Sequence, residues 1–149
     1  MSVGNQPAEG GVNNYQSFPA LKTRKVRTTN LDFSAGVDGV LFYDADFDAY
    51  ITGISILFSE DASATAVTLD VGISTDTNAL VDAFSISQTA TAGQAQAVTL
   101  TTALNETAGQ AVGFYRVPAG TVLRYSYTGA ANTAEGQLEV NYILIDAGI

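Results

Sequence analysis

The chain consists largely of short runs in which apolar and polar residues alternate, and turn sequences rich in Gly, Asn and Asp separate these runs. From Val67 to Ile73, for example, every second side chain is large and apolar, and Thr, Asp and Gly stand between them. Alternation with a period of two indicates a half-buried β-strand. No window of ten or more residues repeats with the helical period. The pattern predicts an all-β fold, an eight- to nine-stranded antiparallel β-sandwich that is jelly-roll-like, with an immunoglobulin-like sandwich as the alternative.

Composition supports this fold class. Val, Ile, Thr, Phe and Tyr, the residues that fit a pleated sheet, make up 52 of the 149 residues. Glu and Lys, which coat exposed helices, number seven together. A chain of this length suits one domain.

The residue pattern of two runs predicts which side chains share a face and which strand is central. Strict alternation between Phe47 and Phe58 predicts two sets of side chains on opposite faces of one strand. These sets are Thr52, Ile54, Ile56 and Phe58 on one face, and Ile51, Gly53, Ser55 and Leu57 on the other. The last run, from Leu138 to Ile145, is apolar on both faces toward its end, which predicts a central strand.

The residues that are missing restrict the chemistry. The chain has no His, Cys or Trp, which excludes His- and Cys-based nucleophilic systems and the usual zinc, copper and iron–sulfur sites. An enzyme would have to use carboxylates, Lys, Tyr or a metal held by oxygen. Because the sequence assembles no convincing set of these, we expect no enzymatic activity and no cofactor. The formal net charge of −9 argues against binding to nucleic acid or to an anionic membrane. The first residues lack the features of a secretory signal, and no apolar run is long enough to span a bilayer.

The N-terminal part differs from the rest of the chain. Residues 1–21 contain Gly, Pro and Asn without apolar periodicity, which predicts a flexible arm ahead of a sandwich domain at 22–149. The arm is either an ordinary frayed terminus or a segment that docks on a partner through its two aromatic residues, Tyr15 and Phe18.

Four of the six basic residues follow directly, at Lys22, Arg24, Lys25 and Arg27. On a strand, charges of this kind protect an edge from unwanted pairing. The alternative is a basic strip that contacts an acidic partner surface.

Two further groups are candidates for sites. Asp44, Asp46 and Asp48 alternate like the opening of a calcium loop, but position six is Ala49 and position twelve is Ser55, so a solvated acidic turn is the preferred interpretation. Four tyrosines on late strands are suited either to a core or interface or to stacking on sugar rings. They are Tyr115, Tyr125, Tyr127 and Tyr142.

The sequence as a whole resembles the small structural proteins of tailed-phage virions, and is most similar to capsid decoration (cement) proteins with a β-sandwich or jelly-roll fold. The segments that carry this resemblance are 1–20, 47–54, 71–77 and 117–121. The resemblance implies a non-enzymatic protein on the capsid surface of a virion, synthesised in the host cytoplasm. It implies the major capsid protein as partner and a homo-oligomer, with a trimer favoured.

On this interpretation Tyr15 and Phe18 anchor the arm, and Lys22, Arg24, Lys25 and Arg27 make the electrostatic contact. A carbohydrate-binding or adhesion module and a tail or neck subunit are the alternatives.

Overall fold

The computed structural model describes residues 23–100, 115–128 and 132–146. Within these ranges the chain forms ten strands and no helix, so the predicted all-β class is confirmed. The strands are β1 (Thr23–Arg27), β2 (Leu31–Asp32), β3 (Val37–Phe42), β4 (Phe47–Glu60), β5 (Val67–Ile73), β6 (Asp76–Ile86), β7 (Ala95–Ala97), β8 (Tyr115–Val117), β9 (Leu123–Thr128) and β10 (Glu135–Asp146).

The strands pair in the order of a long hairpin that has been rolled up. β5 pairs with β6, β4 with β7 and β8, β3 with β9, and β10 with β1 and β2, all antiparallel. Rolling the hairpin brings two more pairs together, β4 with β10 and β5 with β9. This is the interleaved strand order of a jelly roll. The predicted jelly-roll-like sandwich is therefore confirmed.

Two sheets result, each four strand positions wide. In the first, β10 and β4 are central, β1 and β2 share one edge, and β7 and β8 share the other. The second has the order β3–β9–β5–β6. Because two edge positions are each shared by two short strands, ten strands occupy eight positions. The predicted central place of the last strand is confirmed.

The core lies between the two sheets. Its largest fully buried side chains are Phe33, Ile51, Ile54, Ile56, Leu69, Leu80, Ile86, Leu123 and Leu138. Burying an aliphatic side chain of this size contributes about 1.5–3 kcal/mol. Aromatic contacts add to the packing: the rings of Phe42 in β3 and Tyr142 in β10 lie 4.7 Å apart, which joins one sheet to the other.

An extra residue near the middle of β4 interrupts its alternation. The pairing with β10 slips at Thr52, because Gly53 lies opposite Asn141 and Ile51 lies opposite Tyr142. The extra residue reverses which of the alternating side chains point to the core, so Ile51 and Ile54 are both buried there. The predicted placement of Ile51 on the face opposite Ile54 is wrong for this reason.

The β5–β6 hairpin is also irregular. Val71 lies opposite Val81 and Ile73 lies opposite Asp76, so four residues of β6 face the single residue Gly72. The backbone of β6 passes so close to Gly72 that a Cβ there would lie 2.2 Å from the Asp76 carbonyl oxygen. The turn was expected at 75–78, but β6 already begins at Asp76.

The short strands were harder to predict. β2 was not predicted, and the strand expected at 96–101 is present only as β7, Ala95–Ala97. Beyond β7, Val98 still donates a 2.9 Å backbone hydrogen bond to Ile54, so the segment follows β4 without forming a regular ladder. Of the strand expected at 112–117, the described part is β8. The expected arm, residues 1–21, lies outside the described residues, and the expected domain boundary at residue 22 remains a prediction.

Candidate functional site

The basic segment forms β1, an edge strand, as the charge-protected interpretation expects. All five of its residues are exposed, and its register on β10 places Arg27 opposite Glu139 and Arg24 opposite Tyr142. Lys22, the fourth basic residue of the predicted strip, lies outside the described residues. Exposure and charge together make β1 a surface that a partner can reach.

The basic residues of β1 differ in whether they contact Glu139 of β10. Its carboxylate accepts a 2.8 Å hydrogen bond from Arg27 Nε and lies 3.9 Å from Lys25 Nζ. Only 7% of Glu139 is exposed, so the two cations compensate a carboxylate that has lost most of its water. The charge of Lys25 and Arg27 is thus partly used within the molecule.

Arg24 points to the other side of the strand, because successive side chains of a strand alternate. It has no hydrogen-bond or ion-pair partner among the residues that the structure describes. Of the predicted strip, Arg24 is therefore the described cation that remains available to a partner.

The acidic segment between β3 and β4 is a tightly hydrogen-bonded loop. Asp44 Oδ1 accepts from the backbone N–H groups of Asp46 at 2.9 Å and Phe47 at 2.8 Å, as Asp does in turns. Asp48 accepts from the backbone N–H of Ala119 at 2.8 Å and forms an ion pair with Arg116.

These contacts perturb Asp48. The Ala119 N–H first, and then the Arg116 guanidinium, lower the pKa of the Asp48 carboxyl because both stabilise its charged form. In the described part of the chain, no three acidic residues, these aspartates included, form a group that could hold a metal ion. The structure thus gives Asp44 and Asp48 protein partners and does not bring Asp44, Asp46 and Asp48 together as ligands.

Two aromatic side chains on the same loop are exposed. Tyr43 is 52% exposed and Phe47 is 41% exposed. The loop is fixed against the β8–β9 turn, because Gly120 N–H donates to the Asp44 carbonyl at 2.8 Å. Thr23, where β1 begins, lies at the same end of the molecule. It pairs with Ile143 of β10, and Asp48, near the start of β4, pairs with Ile145 of the same strand. The sequence interpretation missed Tyr43 and Phe47, although their place beside a turn was a signal.

The four tyrosines, for which the sequence left a core or interface role and sugar stacking open, face the interior. Tyr125 and Tyr127 are buried, and Tyr115 and Tyr142 pack against the core. Tyr127 donates a 2.8 Å hydrogen bond to the Asp32 carbonyl. Burial, with smaller effects of Tyr125 and Asp32, raises the pKa of Tyr127 to about 12. These tyrosines therefore form no sugar-binding platform on a sheet face.

A hollow of about 540 Å³ lies between the β5–β6 and β8–β9 turns, and its lining includes Ile73, Thr121 and Arg124. Arg124 is the single charged residue of this lining. Acid–base catalysis by two carboxylates needs a pair that converges on one point. The hollow offers no such pair.

Comparison with known proteins gives one informative likeness. No protein-family model and no curated protein sequence matches this chain. A chain of the cyanophage Pam1 capsid asymmetric unit is similar in structure, with a TM-score of 0.51 and 14% identity over 95% of both chains. At this identity, the likeness shows the fold.

Two further structures are similar to a smaller degree. A chain of the acidic stable capsid of Helicobacter pylori bacteriophage KHP30 has a TM-score of 0.42 and 13% identity over 83% of this chain and 97% of that one. A chain of the disulfide-linked pili of Bacillus endospore appendages has a TM-score of 0.35 and 15% identity over 85% and 89%. Separately, the described residues contain no helix that is long and apolar enough to cross a membrane.

Proposed function

We propose that this chain is a non-enzymatic structural protein of a phage virion, which binds the outside of the capsid and reinforces contacts between capsid subunits. The observation that supports this most is the fold likeness to a chain from the Pam1 capsid, because it extends over 95% of both chains. A fold alone does not fix a function. The proposal therefore also depends on the exposed surface of the molecule.

The charges of the molecule favour a protein partner. The chain carries a net charge of −9, which repels nucleic acid and anionic lipid. Its basic residues concentrate at 22–27, on the exposed edge strand β1 and the residue before it. We assign Arg24 and Lys22 the main electrostatic contact with an acidic capsid surface, because Lys25 and Arg27 share their charge with Glu139.

The N-terminal segment supplies a second contact in this proposal. The chain before Thr23 continues from the end of the sandwich where Tyr43 and Phe47 are exposed. We assign Tyr15 and Phe18 of this segment the anchoring of the partner, and Tyr43 and Phe47 are candidates for an additional contact. A segment that becomes ordered on docking adds contact area at a cost in entropy.

The major capsid protein is the partner that this proposal requires, at the capsid surface. Many copies acting together can make a stable shell even where each contact is modest. The trimer that the resemblance favours is not part of this proposal.

A binding experiment tests the proposal. Empty capsids of the source phage that lack this protein are mixed with the full chain and sedimented, and the pellet is examined for the chain. We expect the chain to sediment with the capsids and to raise their melting temperature. A chain that stays in the supernatant would contradict the proposal.

Variants separate the two contacts. Deleting residues 1–20 should abolish sedimentation with capsids while the sandwich stays folded, as far-UV circular dichroism would show. Arg24→Gln should weaken binding, and the effect should shrink at high salt. Arg24→Lys is the matched control, because it keeps the positive charge at the same position and should bind like the wild type. Equal binding by all variants would contradict these assignments.

Two further observations address the alternatives. A tail or neck subunit would label the tail rather than the capsid when gold-tagged protein is added to virions and viewed by electron microscopy. A glycan-binding module lacks the tyrosine platform that was its main sequence support, because Tyr125 and Tyr127 are buried.

A further inference from the structure

The sandwich has four edge positions, and three of them are protected against pairing with another strand. β1 carries three basic residues, which is a common protection. β7 and β8 have three residues each, too few for a stable ladder. β6 is irregular twice along its pairing with β5, and Ala83 adopts a positive φ of 50° there. Charge, shortness and bulges are the devices that keep sheet edges from associating.

The fourth edge, β3, has less of this protection, because its one irregularity, an extra residue at Leu41, lies near the end of the strand. It is six residues long, and its register with β9 is regular from Val37 to Val40. Val37 is 42% exposed and Val40 is 52% exposed. Its single charged residue, Asp38, lies 3.7 Å from Arg124 on the neighbouring strand, so the edge is close to neutral.

Exposed apolar side chains concentrate on β3 and on the loop that leads from it to β4. Five large hydrophobic residues are exposed in the described part of the chain, and four of them lie between residues 37 and 47. They are Val37, Val40, Tyr43 and Phe47. A clustered apolar surface of this kind is typical of an interaction site.

We propose that β3 pairs antiparallel with β3 of a second copy of this chain, about a two-fold axis at Gly39. This pairing would join the two four-stranded sheets into one of eight strands. Strand addition to a free edge is a recurrent mode of association, and a two-fold interface must be complementary to itself.

The sequence of β3 meets that condition. With Gly39 opposite itself, Asp38 of each copy lies opposite Val40 of the other, within the part of β3 whose register is regular. No like charges are opposed, which would destabilise a cross-strand pair. The remaining acidic charge of the chain would oppose association elsewhere, but Arg124 compensates Asp38 at this edge. A second copy therefore fits β3 without a charge penalty.

The test is the mass of the full chain in solution. Sedimentation equilibrium over a wide range of concentration should give twice the chain mass of 15.5 kDa. Val40→Lys places a charge on the free edge and should return the protein to a monomer. Val26→Lys is the matched control: Val26 is the exposed valine of the already protected strand β1, and this variant should remain a dimer.

Circular dichroism and thermal unfolding establish that each variant is folded, and amide hydrogen exchange locates the interface. Residues 37–40 should be protected in the wild type and lose protection in Val40→Lys. A wild type that is monomeric at every concentration overturns the proposal, and leaves this edge to a strand of another protein. A trimer, or a dimer that Val40→Lys leaves intact, overturns it as well.

Discussion

Arg27 Nε on the exposed strand β1 donates a 2.8 Å hydrogen bond to Glu139 Oε2, a carboxylate on the central strand β10. The two residues are 112 positions apart in sequence. Glu139 is buried and Arg27 is largely exposed, so the pair joins the edge of the sheet to its interior. The bond helps to hold β1 in place, together with the backbone ladder.

Replacing Arg27 should therefore destabilise the fold. We expect Arg27→Ala to cost about 1 kcal/mol, because it leaves a buried carboxylate with the more distant Lys25 as its cation. Arg24→Ala is the control on the same strand, and it should change stability by less than about 0.5 kcal/mol. Urea unfolding measures both. Equal losses in the two variants would show that Glu139 does not depend on Arg27.

A close approach of the backbone at Gly72 gives a second prediction. Gly72→Ala would bring a Cβ within 2.2 Å of the Asp76 carbonyl oxygen, and the backbone of β6 would have to move. We expect a loss of roughly 2 kcal/mol or more in the free energy of unfolding. Gly53→Ala is the control within a strand, because its Cβ would meet Asn141 at an ordinary 3.5 Å. Equal thermal stability of the two variants would contradict the described hairpin.

The sequence predicted those features that depend on residue type and a period of two. The strand at 67–73, the basic edge strand and the central place of the last strand all leave such a pattern. The bulge at Thr52 does not, because one extra residue changes no composition. It nevertheless moves Ile51 to the core.

The candidate site was harder to predict for a similar reason. Arg27 and Glu139 meet only because the register of β1 on β10 is set by the whole sheet. Tyr125 and Phe47 are both aromatic residues in alternating runs, and yet one is buried and the other exposed. Which face an aromatic residue takes depends on the bulges and on the strand that covers it, and neither can be inferred from spacing.

Acid should remove one contribution to stability. The pKa of Asp48 is lowered by the N–H of Ala119 and by Arg116, so its folded form favours the charged carboxylate. This contribution is present above the unfolded pKa of about 4 and is lost as the pH falls through the lower folded pKa.

Asp48→Asn should therefore lower stability by roughly 1 kcal/mol at neutral pH, and the difference from wild type should vanish in strong acid. Thermal unfolding from neutral pH downward measures this. Asp46→Asn, at an exposed position of the same loop, is the control and should unfold at the same temperature as the wild type at neutral pH. A difference between Asp48→Asn and wild type that persists in acid would contradict the ionic role of Asp48.

Alkali should act through Tyr127. Burial raises its pKa to about 12, so folding favours the neutral phenol, whose hydroxyl donates to the Asp32 carbonyl. A raised folded pKa gives stability that is full below the unfolded pKa of about 10 and is lost as the pH rises toward 12.

Tyr127→Phe removes the group that titrates and costs about 1 kcal/mol at neutral pH, because the carbonyl loses its partner. Between pH 10 and 12 its stability should fall less steeply than that of the wild type, as urea unfolding would measure. Parallel losses in the two proteins would assign the alkaline transition to other groups, such as Tyr115 and Tyr125, whose pKa values burial also raises.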